Sequence, residues 1–358
     1  METTPGLDCD SLMENGTKNG TQQVISIYEE YGYFNVIIVS TLFSVIAFVG
    51  LTGNTMVVIA VALSCKLQNI TNAFIVNLSI CDFITCVLLP FQAAAVISED
   101  GWPLADWFCY VIASLVIITP STSILNLVMI SLNRYMLITK PRKLYMKVYT
   151  HHNVACTWLF PFFILLMPQF FLGGLGYRQK FKFCLWNSEH EDAHIFQASG
   201  TLTFVVSTVL IIFSYVSIFL FVRKHMHMMA NKNESDDRAS EKIVEERAPD
   251  NNKVKSYTPT TKNETISKKQ IEITKNLCVV VVTFFICTLP YSIHLPTKIY
   301  DMRGTYLGTL LVFNACINPI LYAAKHPHFK IIFHCMFQCK YSNIPAPSMR
   351  LRKILNDM

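Results

Sequence analysis

The chain has 358 residues, with 30 Lys and Arg against 24 Asp and Glu, and a net charge of +6. Hydrophobic residues make up 52% and charged residues 15%, where soluble domains carry about 25% charged residues. That balance excludes a disordered chain or a coiled coil and argues against an ordinary cytosolic enzyme.

Residues 1–33 are polar and carry Asn15-Gly-Thr17 and Asn19-Gly-Thr21, two glycosylation acceptors that require a lumenal location. No basic-then-apolar leader precedes Phe34, so the first apolar run is expected to target the chain. About 20 apolar residues cross a bilayer as a helix. The runs that meet this length are Phe34–Leu63, Thr71–Ser98, Trp107–Leu132, Asn153–Tyr177, Ile195–Val222, Asn276–Thr297 and the shorter Gly304–Ala324. Within the bilayer every backbone polar group must be satisfied internally, so each is predicted to be a helix. The fold class is therefore an all-α membrane protein, a seven-transmembrane helix bundle. No motif repeats at a fixed period.

Orientation follows from Lys and Arg in the short loops. The second inner loop holds Lys140, Arg142, Lys143 and Lys147 and no acid, which places the N-terminus outside. The expected organisation is an extracellular tail over 1–33, a seven-helix domain over 34–339 and a cytoplasmic tail over 340–358. The third inner loop, 223–269, mixes Lys, Glu, Asp, Asn, Ser and Thr, a composition that buries too little apolar surface to order itself. Ser235, Ser240, Ser256, Thr258, Thr260 and Thr261 are its candidate phosphorylation sites.

An ionisable residue at membrane depth is a functional hypothesis. Asp82 is the one carboxylate in any of these runs, and Asn54, Ser123, Asn314 and Asn318 are polar residues that could face it. Such oxygens suit sodium or a water cluster, or they form a helix-packing network with no ion. Cys109 opens the third span and Cys184 lies in the second outer loop, and on the oxidising side the two can form a disulfide. Cys335 and Cys339, after the last span, are palmitoylation candidates. Pro90, Pro120, Pro161, Pro168, Pro290 and Pro319 interrupt the helical ladders and open places to bend; for Pro161 the ordinary abundance of proline in membrane helices is explanation enough. Metal-ligand spacing, a phosphate-binding glycine loop, a His-Glu-x-x-His motif and a paired nucleophile and base are all missing, so no enzyme and no nucleic-acid partner are expected.

Further residues carry a resemblance. Gly53-Asn54, Asn77-Leu78-Ser79-Ile80-Cys81-Asp82, Pro90, Trp102, Cys109, Asn133-Arg134-Tyr135, Trp158, Tyr215, Phe284, Pro290 and Asn318-Pro319-Ile320-Leu321-Tyr322 follow in order, and Phe329 opens a short amphipathic eighth helix. From Phe34 to Cys339 the chain resembles the rhodopsin-like (class A) G-protein-coupled receptors. Three positions depart from that family. Asn133 stands where an acid is usual, Ser207 where the fifth span has proline, and Thr288 where the sixth has tryptophan. The segment from Arg134 to Pro141 is similar to melatonin-receptor-like and moody-like receptors.

The resemblance implies a plasma-membrane receptor. An extracellular ligand favours a conformer in which the sixth helix swings outward, and the opened face accepts a heterotrimeric G protein. Asn133, Arg134, Tyr135, Tyr215, Asn318, Pro319 and Tyr322 would serve coupling, and the subgroup suggests the inhibitory class of G protein. Asp82 with Asn54, Ser123, Asn314 and Asn318 matches the allosteric sodium site. Amine receptors carry an Asp where this chain has Val116, so a conventional amine is disfavoured. Gln92, Val116, Ile117, Pro120, Trp186, Ser199, Thr203, Tyr291, His294 and Gly308 would line the ligand pocket. Arg178, Lys180, Lys182 and Lys298 could attract an acidic group, offset by Glu189, Glu191 and Asp192; a neutral amide, a lipid and a small peptide all stay open. The tail after Phe329 has few hydroxyls, so arrestin would dock on the third loop. A transporter would show internal repeats and a retinal protein a lysine in the last span, and neither is present. A receptor of this class that no longer signals, acting as a scaffold or scavenger, is the main alternative, with a membrane transporter behind it.

Overall fold

The computed structural model describes residues 32–98, 101–139, 146–171, 174–178, 182–186, 193–245, 262–294 and 302–357, with side chains described outside 146–152, 225–245 and 262–273 and at all but Ala193, Met302 and Asp357 of the rest. In chain order the elements are α1 (Tyr33–Leu63), α2 (Ile70–Ile97), α3 (Asp106–Thr139), α4 (Met146–Pro161), a π-helical turn (Phe162–Leu166) and α5 (Met167–Phe171). A two-stranded hairpin, β1 (Leu175–Arg178) and β2 (Phe183–Trp186), follows. Then come α6 (Ala193–Glu245), α7 (Lys262–His294), α8 (Met302–Lys325), α9 (Pro327–Phe337), a 3-10 turn (Tyr341–Asn343) and α10 (Met349–Asp357). Among the described residues seven helices are long and apolar enough to cross a membrane, the fourth of them assembled from α4, the π turn and α5.

The burial pattern is inverted relative to a soluble protein. Asn54, Asn77, Asp82 and Asn126 are buried, while Phe34, Phe48, Phe171, Leu202 and Phe219 are exposed. Lipid tails reward exposed apolar groups and leave polar groups no partner except one another. Close approach of α1 to its neighbours depends on two glycines. A methyl on Gly53 would stand 2.8 Å from Pro319 Cβ, and one on Gly50 would collide with Cys86 Sγ. α2 starts at Asn69, whose side chain accepts from the Asn72 N–H at 3.1 Å, a local cap for an otherwise orphaned donor.

Three expectations change. The fourth span does not run to Tyr177. Its helix ends at Phe171, and the apolar run continues as β1 from Leu175, with Gly176 at φ +148°. Pro161 is not inconsequential: it ends α4, and the ladder continues as a π turn, a wider winding that often accompanies proline. The first part of the third inner loop is helical backbone, since α6 reaches Glu245 and α7 begins at Lys262. Met, Ala, Lys, Glu and Arg in that stretch are good helix formers, so local propensity alone carries the helix onward.

Candidate functional site

At the outer end, α3 and the hairpin are joined by the Cys109–Cys184 disulfide, with Cα atoms 5.3 Å apart. The hairpin pairs Leu175 with Trp186 and Tyr177 with Cys184. Two further contacts pin it. The Cys184 N–H donates to Gln92 Oε1 at 3.4 Å, and the Phe183 ring lies 5.9 Å from that of Phe43 on α1. Phe183 thus packs against an apolar cluster of α1, α2 and α8 that includes Val39, Leu89 and Val312. Lys182, just before it, is buried, and its φ of 54° is left-handed, which costs a non-glycine residue strain.

The expected pocket residues divide among several neighbourhoods. Val116, Ile117 and Trp186 belong to one apolar cluster with the outer ends of α2 and α3, and Trp186 meets the Phe196 ring at 5.1 Å. Gly308 lies against the Tyr291 ring and Gly304 against His294, so α7 and α8 close on each other there. Ser199 and Thr203 direct their hydroxyls to carbonyls of their own helix, Phe196 O and Ser199 O, both at 2.8 Å. Gln92 engages the hairpin backbone rather than open space. Pro120 lies within α3, half-buried. Lys182 and Phe183 are the outer residues whose placement sequence spacing does not reveal.

At mid-depth, Asn318 Nδ2 donates to Asp82 Oδ2 at 2.8 Å and Ser123 lies against the same carboxylate. Asn54 Nδ2 donates to Gly50 O at 2.9 Å and to Ala315 O at 2.8 Å, tying α1 to α8. The amide oxygens of Asn54, Asn314 and Asn318 are buried without a hydrogen-bond partner. Such oxygens are costly unless a cation or water completes them. A second knot surrounds Asn77, which donates to Asn126 Oδ1 at 2.7 Å and Thr157 Oγ1 at 3.0 Å and accepts from Trp158 Nε1 at 2.8 Å.

On the inner half, Asn133 and Arg134 are buried near the end of α3. Asn133 Nδ2 donates to Thr71 Oγ1 at 2.7 Å, so the residue that replaces the usual acid fastens α3 to α2. The hydroxyls of Tyr215 and Tyr322 are buried and lack a hydrogen-bond partner. Tyr135 packs on Phe213 with ring centres 5.8 Å apart, and Tyr322 stacks on Phe329 at 5.6 Å. Asn276 Nδ2 donates to Lys325 O at 2.8 Å, joining the inner ends of α7 and α8. Pro319 faces Gly53. Ser207 is buried inside α6, a helix with no proline across its span, and Thr288 donates to Phe284 O at 2.9 Å.

His326 caps α9, its Nδ1 accepting from the Phe329 N–H at 3.4 Å. Burial, with His328 and Arg134 close by, pulls its pKa down to about 4. Of the two palmitoylation candidates, Cys339 is exposed, whereas Cys335 is buried among the inner core residues. Cys339 is thus the more accessible of the two. Asn15 and Asn19 lie outside the described residues. Among the described residues no group of His, Cys, Asp and Glu could hold a metal ion.

Known proteins share this architecture. The chain superposes on squid rhodopsin with a TM-score of 0.69 over 90% of each chain at 18% identity, a likeness of fold. It is 28% identical to the histamine H2 receptor of Cavia porcellus over 93% of this chain and 88% of that one. It is 24% identical to the allatostatin-A receptor of Bombyx mori over 84% of this chain and 80% of that one. It is 26% identical to the G-protein coupled receptor moody of Drosophila melanogaster, over 84% of this chain and 51% of that protein. The model of the 7 transmembrane receptor (rhodopsin family) matches residues 53–322. With seven spans, the Cys109–Cys184 bridge and that match over most of its length, the chain belongs to the rhodopsin family of seven-transmembrane receptors, multi-pass proteins of the plasma membrane.

Proposed function

We propose that this receptor binds a ligand that is not a conventional amine and transmits the event to a heterotrimeric G protein. The observation that carries the proposal is the buried inner assembly of Arg134, Tyr215 and Tyr322. The two tyrosine hydroxyls have no partner in this conformation. A second conformer in which α7 moves outward would satisfy them, and a ligand shifts the balance only through differential affinity for the two. The inhibitory class of G protein stays the expectation, with arrestin on the third inner loop.

The Cys109–Cys184 bridge supports an extracellular N-terminus, since the start of α3 then faces the oxidising side and α1 enters from that same side. Asn15 and Asn19 would be the glycosylated positions and Cys339 the lipid-modified one. Sodium would bind at Asp82 and Ser123, with the buried amide oxygens of Asn54, Asn314 and Asn318 as further hard donors.

A histamine receptor and an allatostatin-A receptor are both relatives, so an amine and a peptide both arise as ligand classes. The residues favour a non-amine. Val116 offers no counter-charge for an ammonium, and Lys182 is a buried cation at the outer end. A cationic ligand would meet like charge there.

The test is ligand-independent activation of each G-protein class in transfected cells, beside Arg134→Ala at matched surface expression. Basal activity that the substitution abolishes supports the proposal. Activity that survives it would overturn the role given to Arg134, and a surface receptor silent in every class would favour the non-signalling scaffold.

A further inference from the structure

The tail beyond α9 is not a loose end. Residues 344–348 run antiparallel to the inner end of α1, with Ser64 bridged to Pro347. The Cys65 N–H donates to Ala346 O at 2.9 Å, Ser64 Oγ to Pro345 O at 2.7 Å, and the Ser348 N–H to Leu63 O at 2.8 Å. Ile344 and Leu351 are both 2% exposed, inside the same core cluster as Leu67, Tyr322 and Phe329. Ser348 caps α10, its Oγ accepting from the Leu351 N–H at 3.3 Å.

This docking fixes where α10 lies. Leu63 is the last residue of the first span, so a helix starting from its carbonyl begins at the boundary of the bilayer. Leu351 and Leu355 face the bundle. Arg350, Arg352 and Lys353 are exposed, and beside them Met349 is 85% and Ile354 54% exposed. α9 repeats the pattern, with exposed Lys330 beside Ile331, and exposed Lys340 follows shortly after Phe337 at its end. From residue 325 to residue 356 the chain contains no Asp or Glu. Exposed apolar side chains among cations, with no anion between them, are poorly suited to bulk water. They match the inner leaflet, where acyl chains take the apolar edge and anionic headgroups take the bases.

We propose that residues 340–357 form a clasp on the inner end of α1 through which α10 binds anionic headgroups of the inner leaflet. The proposal rests on the reading that this end of the bundle is cytoplasmic. Each base near an anionic leaflet strengthens attachment by about fivefold, so the three on α10 together contribute on the order of a hundredfold.

The test uses the full-length receptor in phosphatidylcholine discs with and without phosphatidylserine, read by amide hydrogen exchange. Discs expose lipid on both faces, so the outcome does not depend on orientation, and a failure here leaves the signalling proposal intact. Exchange over 349–356 is expected to slow by about tenfold or more when phosphatidylserine is present, and added salt should narrow the difference. Arg350→Gln/Arg352→Gln/Lys353→Gln should abolish the lipid effect while the spans stay protected, and Met349→Gln/Ile354→Gln should weaken it. Equal exchange in both discs would overturn the proposal, whether the tail is protected by packing alone or unprotected throughout. A triple variant that still responds to phosphatidylserine would overturn the assignment to α10.

Discussion

His326 offers a test in which acid weakens the receptor through one side chain. In the fold its pKa is pulled from 6.5 to about 4, chiefly because the ring is buried. The neutral form is therefore the one the fold stabilises. Between these two values the unfolded chain binds more protons than the folded one, so stability rises with pH. The contribution is complete above about pH 7, and it is lost as pH falls through 6.5 toward 4. At about pH 5 the loss is about 2 kcal/mol, which corresponds to a fall of several degrees in Tm for a domain of this size. Asparagine at this position can still accept from the Phe329 N–H but does not titrate, so His326→Asn isolates the effect from the other histidines. Thermal unfolding of both proteins in lipid discs should give curves that converge or cross as the medium is acidified. A constant difference from about pH 7.5 down to about pH 5 would refute the reasoning.

Asn77→Ala removes three hydrogen bonds at once; single bonds in membrane proteins average about 0.6 kcal/mol, and buried groups left unpaired cost more, so a loss of about 2–3 kcal/mol is expected in unfolding measurements. Gly50→Ala should lower surface expression, with overpacking costs of about 1–3 kcal/mol, and Cys86→Ala in the same chain should restore much of it by vacating the contested space. A Gly50→Ala receptor that expresses normally by itself would contradict the close approach of α1. Thr71→Ala and Asn133→Ala should each raise ligand-independent signalling, and the double variant should do no more than the stronger single one, because both remove the same bond. Additive effects would mean the bond is not the restraint.

The spans were legible because hydropathy over about 20 residues is a property of single segments. Their true ends were less so. Leu175 and Tyr177 are as apolar as the helix before them, and only Gly173 and Gly174 signal that the run changes from helix to strand. The disulfide was legible from two cysteines on the oxidising side, and the Asp82–Asn318 contact from the scarcity of polar groups in the spans. By contrast, the bond from Asn133 to Thr71 and the engagement of Asn77 with Trp158 join residues far apart in the chain, and nothing local marks them. The docked tail left a faint signal. Leu351, Ile354 and Leu355 recur at helical spacing behind Pro345 and Pro347, but the partner at Leu63–Cys65 lies at the other end of the chain.

The pinned hairpin also bears on time as well as place. Phe183 is tethered through the next residue, Cys184, which carries both the disulfide and the Gln92 contact, and its ring packs against α1, α2 and α8. A ligand passing that quarter of the outer mouth must wait for the ring to withdraw, and the bridge limits how far the strand can lift. Arrival by that route would be gated by a conformational step, which lowers the association rate. The same step guards departure. For a ligand that enters beside Phe183, exchange would be slow, and a screen that reads within seconds of addition would undercount what binds.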